Sequence, residues 1–304
     1  MRTAFIVNPA SANGRTGKRW PQVWERISAL GPEHSAMLTA RPGHATELTA
    51  EVLAAGVDTV VAVGGDGTLS EVANGFFAQP QGYPEAALGL LPFGTGGDFR
   101  RTLGIPGDLD AAIECINARK LRSIDVGRIE MAGLEGGTVV RYFINIADAG
   151  IGGVVVERVN RTSKVFGGKA SFLYASIATL LKYRPQALDV RTAERGWEGK
   201  AQNVVVANGQ YFGGSMHVAP GADPADGKFE VVVFGDIARF EAIRSINDIY
   251  KADHLKNPKV TTWRSDRVEV TSPERVLIEA DGELSGALPA VFEVLPKAIS
   301  VVVP

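Results

Sequence analysis

The sequence predicts an α/β plus β-rich fold: a doubly wound α/β domain at the N-terminal end and a mainly antiparallel β domain at the C-terminal end, with a cleft between them. Three observations carry this expectation. The chain has 304 residues, more than a single core comfortably serves. Its first part alternates strand-like and helix-like segments, the pattern of βαβ units on a parallel sheet. Near residue 125 the texture changes to many short alternating stretches, which predict antiparallel strands. The boundaries expected are 1–126 and 127–295.

The elements follow in order. "TAFIVNP" opens as a strand, "KRWPQVWERISAL" is helical, "HSAMLT" a strand and "HATELTAEVLAAG" a helix. "VDTVVAV" (57–63) is β-branched and almost continuously apolar, as in a strand covered on both faces. "TLSEVANGFF" has helical spacing, "ALGLLPF" is a strand and "LDAAIECINARK" a helix. Beyond "SIDVGRIEM" come "TVVRYFINIA", "NVVVANG", "KFEVVVFGD", "DRVEVTS", "RVLIEADGE" and "AVFEVLP", interrupted by helical "KASFLYASIATLLKY" and "ARFEAIRSINDIYKA".

Between "VDTVVAV" and its helix stands a loop of three glycines and one carboxylate. Gly64, Gly65 and Gly67 let another group approach the main chain. The free N–H groups and positive dipole end of the following helix favour an anion, most commonly phosphate. A tight turn without ligand would use the same glycines. Asp66 tips the balance, because a carboxylate among phosphate-binding amides makes sense if Mg²⁺ mediates.

Four strand ends of this kind would meet on one rim of the sheet: Asn8-Pro9-Ala10-Ser11, Thr39, the 64–70 loop, and "PFGTGGDF" (92–99). Together they predict a nucleotide phosphate cradle with Ser11 and Thr95 as hydroxyl donors. The named phosphate motifs do not fit. "NGRTGKRW" has the wrong glycine spacing for a P-loop, and Arg19 stands where Ser or Thr is required. Ser70 occupies the place of the last glycine of a dinucleotide fingerprint. Asp66, Asp98 and Asp125 sit at strand ends or turns where carboxylates could organise a metal, although each also suits a helix cap or an Asx turn. Asp281 and Glu283 lie at a turn after an apolar strand, where "DG" also suits a plain hairpin.

Composition narrows the classes. Net charge is −2, against a broad nucleic-acid footprint. The single cysteine, Cys115, excludes an internal disulfide and reads as a buried thiol. The four histidines show no ligand spacing. The N-terminal apolar stretch is too short for a signal peptide, and "ASFLYASIATLL" (170–181) falls short of a bilayer span. A cytoplasmic location is expected.

With these residues assembled, the chain resembles the diacylglycerol kinase catalytic-domain family, which includes bacterial soluble lipid kinases and sphingosine kinases. The resemblance is carried in order by "NPASANGRTGKRW", "VAVGGDGTLSEVANG", "LPFGTGGDFRRTLGIP", "RSIDVGRI", "FINIADAGIGGVVV", "ADGKFEVVVF" and "ADGELSGALPAVFEVLPKAISVVVP". It implies a nucleotide-binding N-terminal domain to which 296–304 return, and a lipid-substrate domain at 127–295. It implies ATP contacts at Asn8, Pro9, Ala10, Ser11, Ala12, Thr39, Gly64, Gly65, Asp66, Gly67, Thr68, Leu69, Ser70, Gly94 and Thr95. Asp66, Asp98 and Asp125 would organise Mg²⁺. A structural Mg²⁺ would be held by Asp226 with the main-chain carbonyls of Asp223 and Lys228. Asp281 or Glu283 would take the proton of a lipid hydroxyl attacking the γ-phosphate.

Gly97 departs from the family pattern, which has Asn at that place. Two rivals follow: a NAD kinase-like enzyme, against which stands the lack of a "TPTGSTAY"-like segment, and a nucleotide-gated lipid-binding module that has lost catalysis. The segment 161–185, basic at both ends, is compatible with an anionic membrane surface as well as with an ordinary core helix. The expected partner is a lipid presented at the inner membrane face, with peripheral association there and no nucleic acid; a homodimer would rest on the resemblance alone.

Overall fold

The computed structural model describes residues 2–29, 31, 33–79, 82–93, 97–162, 179, 182–238, 241, 243 and 246–304. The chain divides into two compact units, Met1–Ile124 with Lys297–Pro304, and Asp125–Pro296.

The first unit is a parallel sheet. β1 (Thr3–Val7) lies between β2 (His34–Leu38) and β3 (Thr59–Gly64), and β3 pairs with β4 (Ala87–Pro92). Phe5, Val7, Val61, Val63 and Leu91 point to one face, where they share a core with Trp20, Val23 and Ile27 of α1 (Arg15–Ser28) and with Ala112 and Ile116 of α5 (Leu109–Ala118). The alternate residues Ala4, Ile6, Val60, Ala62, Leu88 and Leu90 are buried too, so both faces are covered, as the unbroken apolar runs require. The other helices here are α2 (His44–Ala54), α3 (Asp66–Gly75) and α4 (Asp98–Thr102). Asp108 caps α5, its carboxylate accepting from the amides of Asp110 and Ala111 at 3.1 Å each. Cys115 is a buried free thiol pushed up by burial, which suits it to packing and not to nucleophilic attack.

The second unit is antiparallel. β5 (Lys120–Ala132) leads into it and pairs with β6 (Thr138–Phe143). β7 (Ile146–Gly150) then runs into α6 (Ile151–Thr162). β8 (Gln186–Arg191) and β9 (Gly196–Ala201) form a hairpin, and β10 (Asn203–Ala207) pairs with β7. A two-residue pair, β11 (Tyr211–Phe212) with β12 (Met216–His217), precedes β13 (Phe229–Phe234), which pairs with β10. A short α7 (Ile246–Tyr250) leads to β14 (Val260–Ser265), β15 (Arg267–Thr271) and β16 (Leu277–Ala280). The 21-residue β17 (Glu283–Val303) pairs with β16 and β15 early on. Its end, Ser300 and Val301, pairs in parallel with β4 in the first unit. Residues from β5, β6, β8 and β15 share one core with residues from β7, β10, β13 and β16, so the sheet folds over itself as a sandwich. Phe143 and Phe229 stack at its centre, ring centroids 5.4 Å apart. Among the described residues no helix is long and apolar enough to cross a membrane. Residues 163–178, the middle of the segment considered for membrane contact, lie outside the described residues.

Candidate active site

In a parallel sheet the C-terminal strand ends share an edge, and backbone bonds tie these ends together. Thr39 N donates to Val7 O at 2.8 Å, Asn8 N to Val63 O at 3.0 Å, and Phe93 N to Gly64 O at 2.9 Å. Asn8, Thr39 and the glycine loop therefore stand on one rim. Gly94 and Thr95 lie outside the described residues.

The 8–14 loop is built by its own polar groups. Asn8 Oδ1 accepts from Ala10 N at 3.0 Å, Ser11 Oγ donates to Asn8 O at 2.9 Å, and Ser11 Oγ lies 2.6 Å from Thr16 Oγ1. Ala12, Asn13 and Gly14 are all left-handed, with φ 52°, 57° and 78°, a tight reversal that delivers the chain into α1. Asn8 also reaches across to the neighbouring loop, where its Nδ2 donates to Thr68 Oγ1 at 3.1 Å.

The first α3 bond runs from Leu69 N to Gly65 O at 3.0 Å. It leaves the amides of Asp66, Gly67 and Thr68 ahead of it, the arrangement that receives an anion. Leu69 and Ser70 are buried and lie past these free amides, the Leu69 N–H being taken up in the helix bond. Gly64 is required by close approach: a Cβ there would stand 2.4 Å from Thr68 Oγ1 and 2.8 Å from Thr68 Cβ. Gly64→Ala is accordingly expected to lose about 1–3 kcal/mol through overpacking and to weaken nucleotide binding. Thermal unfolding and ATP titration check this, and an unchanged melting temperature with unchanged affinity would contradict it.

Asp66 joins two loops. Its carboxylate accepts from Gly97 N at 2.7 Å and from Asp98 N at 3.1 Å and 3.3 Å, fixing the start of α4 against the glycine loop. Gly97 is left-handed at φ 79°, and a Cβ there would stand 2.5 Å from Arg100 Nε. What Asp66 uses at this position is the backbone N–H, which any residue except proline supplies. Asp98 is buried and adjacent to Asp66 through that bond.

The remaining acids belong to the second unit. Asp125 N donates to Pro224 O at 2.6 Å, and Asp125 Oδ2 accepts from Gly227 N at 2.7 Å, so Asp125 is bonded into the "DPADGK" turn. In that turn Asp226 Oδ1 accepts from Lys228 N at 3.0 Å while its other oxygen is paired with Arg264. The carbonyl of Asp223 accepts from Asp226 N at 3.4 Å. A cation bound by Asp226 would share its carboxylate with this guanidinium and amide, and the structural Mg²⁺ that the resemblance implies there stands as a proposal. Among the described residues no group of three or more His, Cys, Asp or Glu side chains is arranged to hold a metal.

Asp281 is left-handed at φ 50°, which turns its carboxylate back onto the start of β7. It accepts there from three amides: Ile144 N at 3.0 Å, Asn145 N at 3.0 Å and Ile146 N at 3.1 Å. Asp281 is half-buried and Glu283 exposed.

Two acids that the motifs do not mark stand beside this turn. Asp148 and Glu279 are directly opposed on β7 and β16 and both buried. Burial pushes the Asp148 carboxyl up to about 6, and burial together with the Asp148 charge pushes Glu279 well above the usual carboxylate range. Their only sequence signal is an acid inside each of two apolar strands, "FINIADAG" and "RVLIEADG". The second unit also holds a mainly apolar cavity of about 740 Å³, lined by Ile151, Val155, Phe212, Met216, Phe234 and Ile249 among others, with Asn203 and His254 among several polar and charged groups.

Comparison with known proteins adds the family. Residues 2–129 match the diacylglycerol kinase catalytic domain, and residues 145–303 match the YegS C-terminal NAD kinase beta sandwich-like domain. A diacylglycerol kinase of Bacillus subtilis (strain 168) is 30% identical over 305 residues, covering 100% of this chain and 96% of the relative. One from Staphylococcus haemolyticus (strain JCSC1435) is 29% identical, covering 99% and 87%. The crystal structure of a diacylglycerol kinase from Bacillus anthracis str. Sterne shares the fold with TM-score 0.73 and 21% identity, covering 100% and 97%. Yeast NADH kinase complexed with NADH shares it more distantly, with TM-score 0.56 and 13% identity, covering 100% and 84%. The chain belongs to the diacylglycerol kinase catalytic-domain family of lipid kinases.

Proposed function

We propose that the chain transfers the γ-phosphate of ATP to a hydroxyl of a diacylglycerol-like lipid. The apolar cavity of the second unit carries the substrate part of this reading. At about 740 Å³ it has the size and lining of a small-molecule site and suits an acyl chain better than a second nucleotide.

The first unit would hold the nucleotide, its phosphates against the amides of Asp66, Gly67 and Thr68 and the loop of Asn8 to Ala12. Asp66 and Asp98 would hold Mg²⁺. Hard oxygen donors suit this ion, which is commonly bound by one or two carboxylates together with substrate phosphates. Each Asp66 oxygen accepts an amide, and a carboxylate has about four lone-pair sites, so capacity for a hydrated cation remains. Mg²⁺ would supply charge neutralisation on the phosphates. Asp281 is the base we assign: three backbone donors fix the orientation of its carboxylate, which would accept the hydroxyl proton. The lipid oxygen then bonds to the γ-phosphorus, the bond to the β–γ bridging oxygen breaks, and ADP leaves. Little covalent work falls to the protein, since positioning and charge stabilisation dominate phosphoryl transfer.

The test is transfer of labelled γ-phosphate from ATP and Mg²⁺ to micellar diacylglycerol, monoacylglycerol, phosphatidylglycerol, ceramide and sphingosine, with NAD as a further acceptor. Label in diacylglycerol or a near relative is the expected result. Label only in NAD would replace this reading with the NAD kinase one, and ATP binding without any labelled lipid would favour the binding module.

A further inference from the structure

The buried acids Asp148 and Glu279 have no place in the mechanism above, yet they are bonded to the turn that carries its base. Glu279 Oε2 accepts from Gly282 N at 2.7 Å, so the side chain grips the peptide immediately after Asp281. On its other side Glu279 is hydrogen-bonded to Asp148. Asp148 in turn accepts from Gly153 N; with the Asn203 side-chain amide turned so that its nitrogen replaces its oxygen, the orientation that satisfies both atoms, Asn203 donates to Asp148 Oδ1 at 3.2 Å and to Ala149 O at 3.0 Å. The pocket around Asp148 is closely fitted: a Cβ on Gly152 would fall 2.1 Å from its carboxylate.

Two carboxyl groups in hydrogen-bond contact away from water cannot both be charged, so one must carry a proton. The donors decide which. Asp148 faces Gly153 N, Asn203 and Glu279, a set suited to a carboxylate. Glu279 has one amide donor and Asp148 as acceptor, a set suited to a neutral acid that accepts on one oxygen and donates from the other. Among the described residues, the other titratable groups acting on the pair are Asp281, whose charge opposes ionisation of Glu279, and Tyr183, which burial and the Asp148 charge hold in its neutral form.

We propose that Asp148 and Glu279 share one proton and form the positioning element of the Asp281–Glu283 turn, with Glu279 the neutral acid that holds it. Asn203 also lines the apolar cavity, so the chain Asn203, Asp148, Glu279, Gly282 links the cavity wall to the base. Removing the shared proton at high pH places two charges side by side and releases the turn. Glutamine at 279 reproduces the neutral acid, with an oxygen for Gly282 N and an amide hydrogen for Asp148, but cannot ionise.

The kinetic arm of the test rests on the lipid-kinase reading; the spectroscopic arm does not. Labelling with carbonyl-¹³C aspartate and ¹⁵N glycine selects the three Asp–Gly pairs, 66–67, 226–227 and 281–282, and resolves the Gly282 amide. Its shift is expected to titrate in the wild type with a midpoint above the ordinary carboxylate range, and to stay flat in Glu279→Gln. A midpoint in the ordinary range, or the same titration in the variant, overturns the proposal whether or not any lipid is phosphorylated. In turnover, Glu279→Ala should fall at least about tenfold, the scale of a displaced catalytic group, while Glu279→Gln should recover most of it and lose the alkaline decline. Equal losses in both variants, with the alkaline limb retained, would also overturn it. Absence of lipid turnover in the wild type would count against the kinase reading alone, since the Gly282 titration still decides whether the pair holds the turn.

Discussion

Asp281→Asn is expected to lower lipid phosphorylation by roughly 10²–10⁴-fold, the range for a lost general base. The backbone is no obstacle, because asparagine tolerates the left-handed conformation at φ 50°. The chemistry is. An amide offers one oxygen where the carboxylate met three N–H groups, and its NH₂ would face a backbone donor. A stability loss of about 1–3 kcal/mol should accompany the change, so turnover must be read on protein shown to be folded. Glu283→Gln, at an exposed side chain, should keep the melting temperature and cost less than about tenfold in turnover, well below a lost general base. The reverse order of effects would move the base to Glu283.

The second large effect is expected at Asp66. Asp66→Asn leaves one oxygen for two amides, those of Gly97 and Asp98, and turns a donor toward the other. The start of α4 would lose its tie to the glycine loop, at a cost of about 1–3 kcal/mol, and the nucleotide site a negative charge. Phosphoryl transfer should fall by at least about 100-fold, the size of effect that small displacements produce in a positioned site. Calorimetric titration with ATP and Mg²⁺ should show weakened binding. Normal affinity together with normal turnover would remove Asp66 from the site.

Both positions were legible in the sequence as acids at turns, but what the carboxylates touch was not. The parallel half was readable because its strands are uniform apolar runs, "VDTVVAV" and "ALGLLPF", separated by helices with a clear period, and because strand ends in such a sheet must share a rim. The antiparallel half was readable where strands are β-branched. It was not readable at β9, "GWEGKA", where two glycines and two charges hide a strand that forms because β8 pairs with it. Asp148 and Glu279 were missed for a related reason. Each is a single acid in an apolar run, and only the register of β7 against β16 brings them face to face. The Arg264 partner of Asp226 comes from a strand 38 positions further along the chain, a distance no local pattern spans.

β17 has a consequence for how the protein is made. Its first residues belong to the second unit and its last to the first, so residues 297–304 reach β4 only after the whole of 125–296 has been synthesised. On the ribosome, β4 therefore waits with one edge bare while the second unit emerges. An unpaired strand edge is a template for pairing with other chains, and the gap in time grows with the length of the second unit. A ribosome-bound intermediate halted before residue 297 should accordingly be the species most in need of a chaperone.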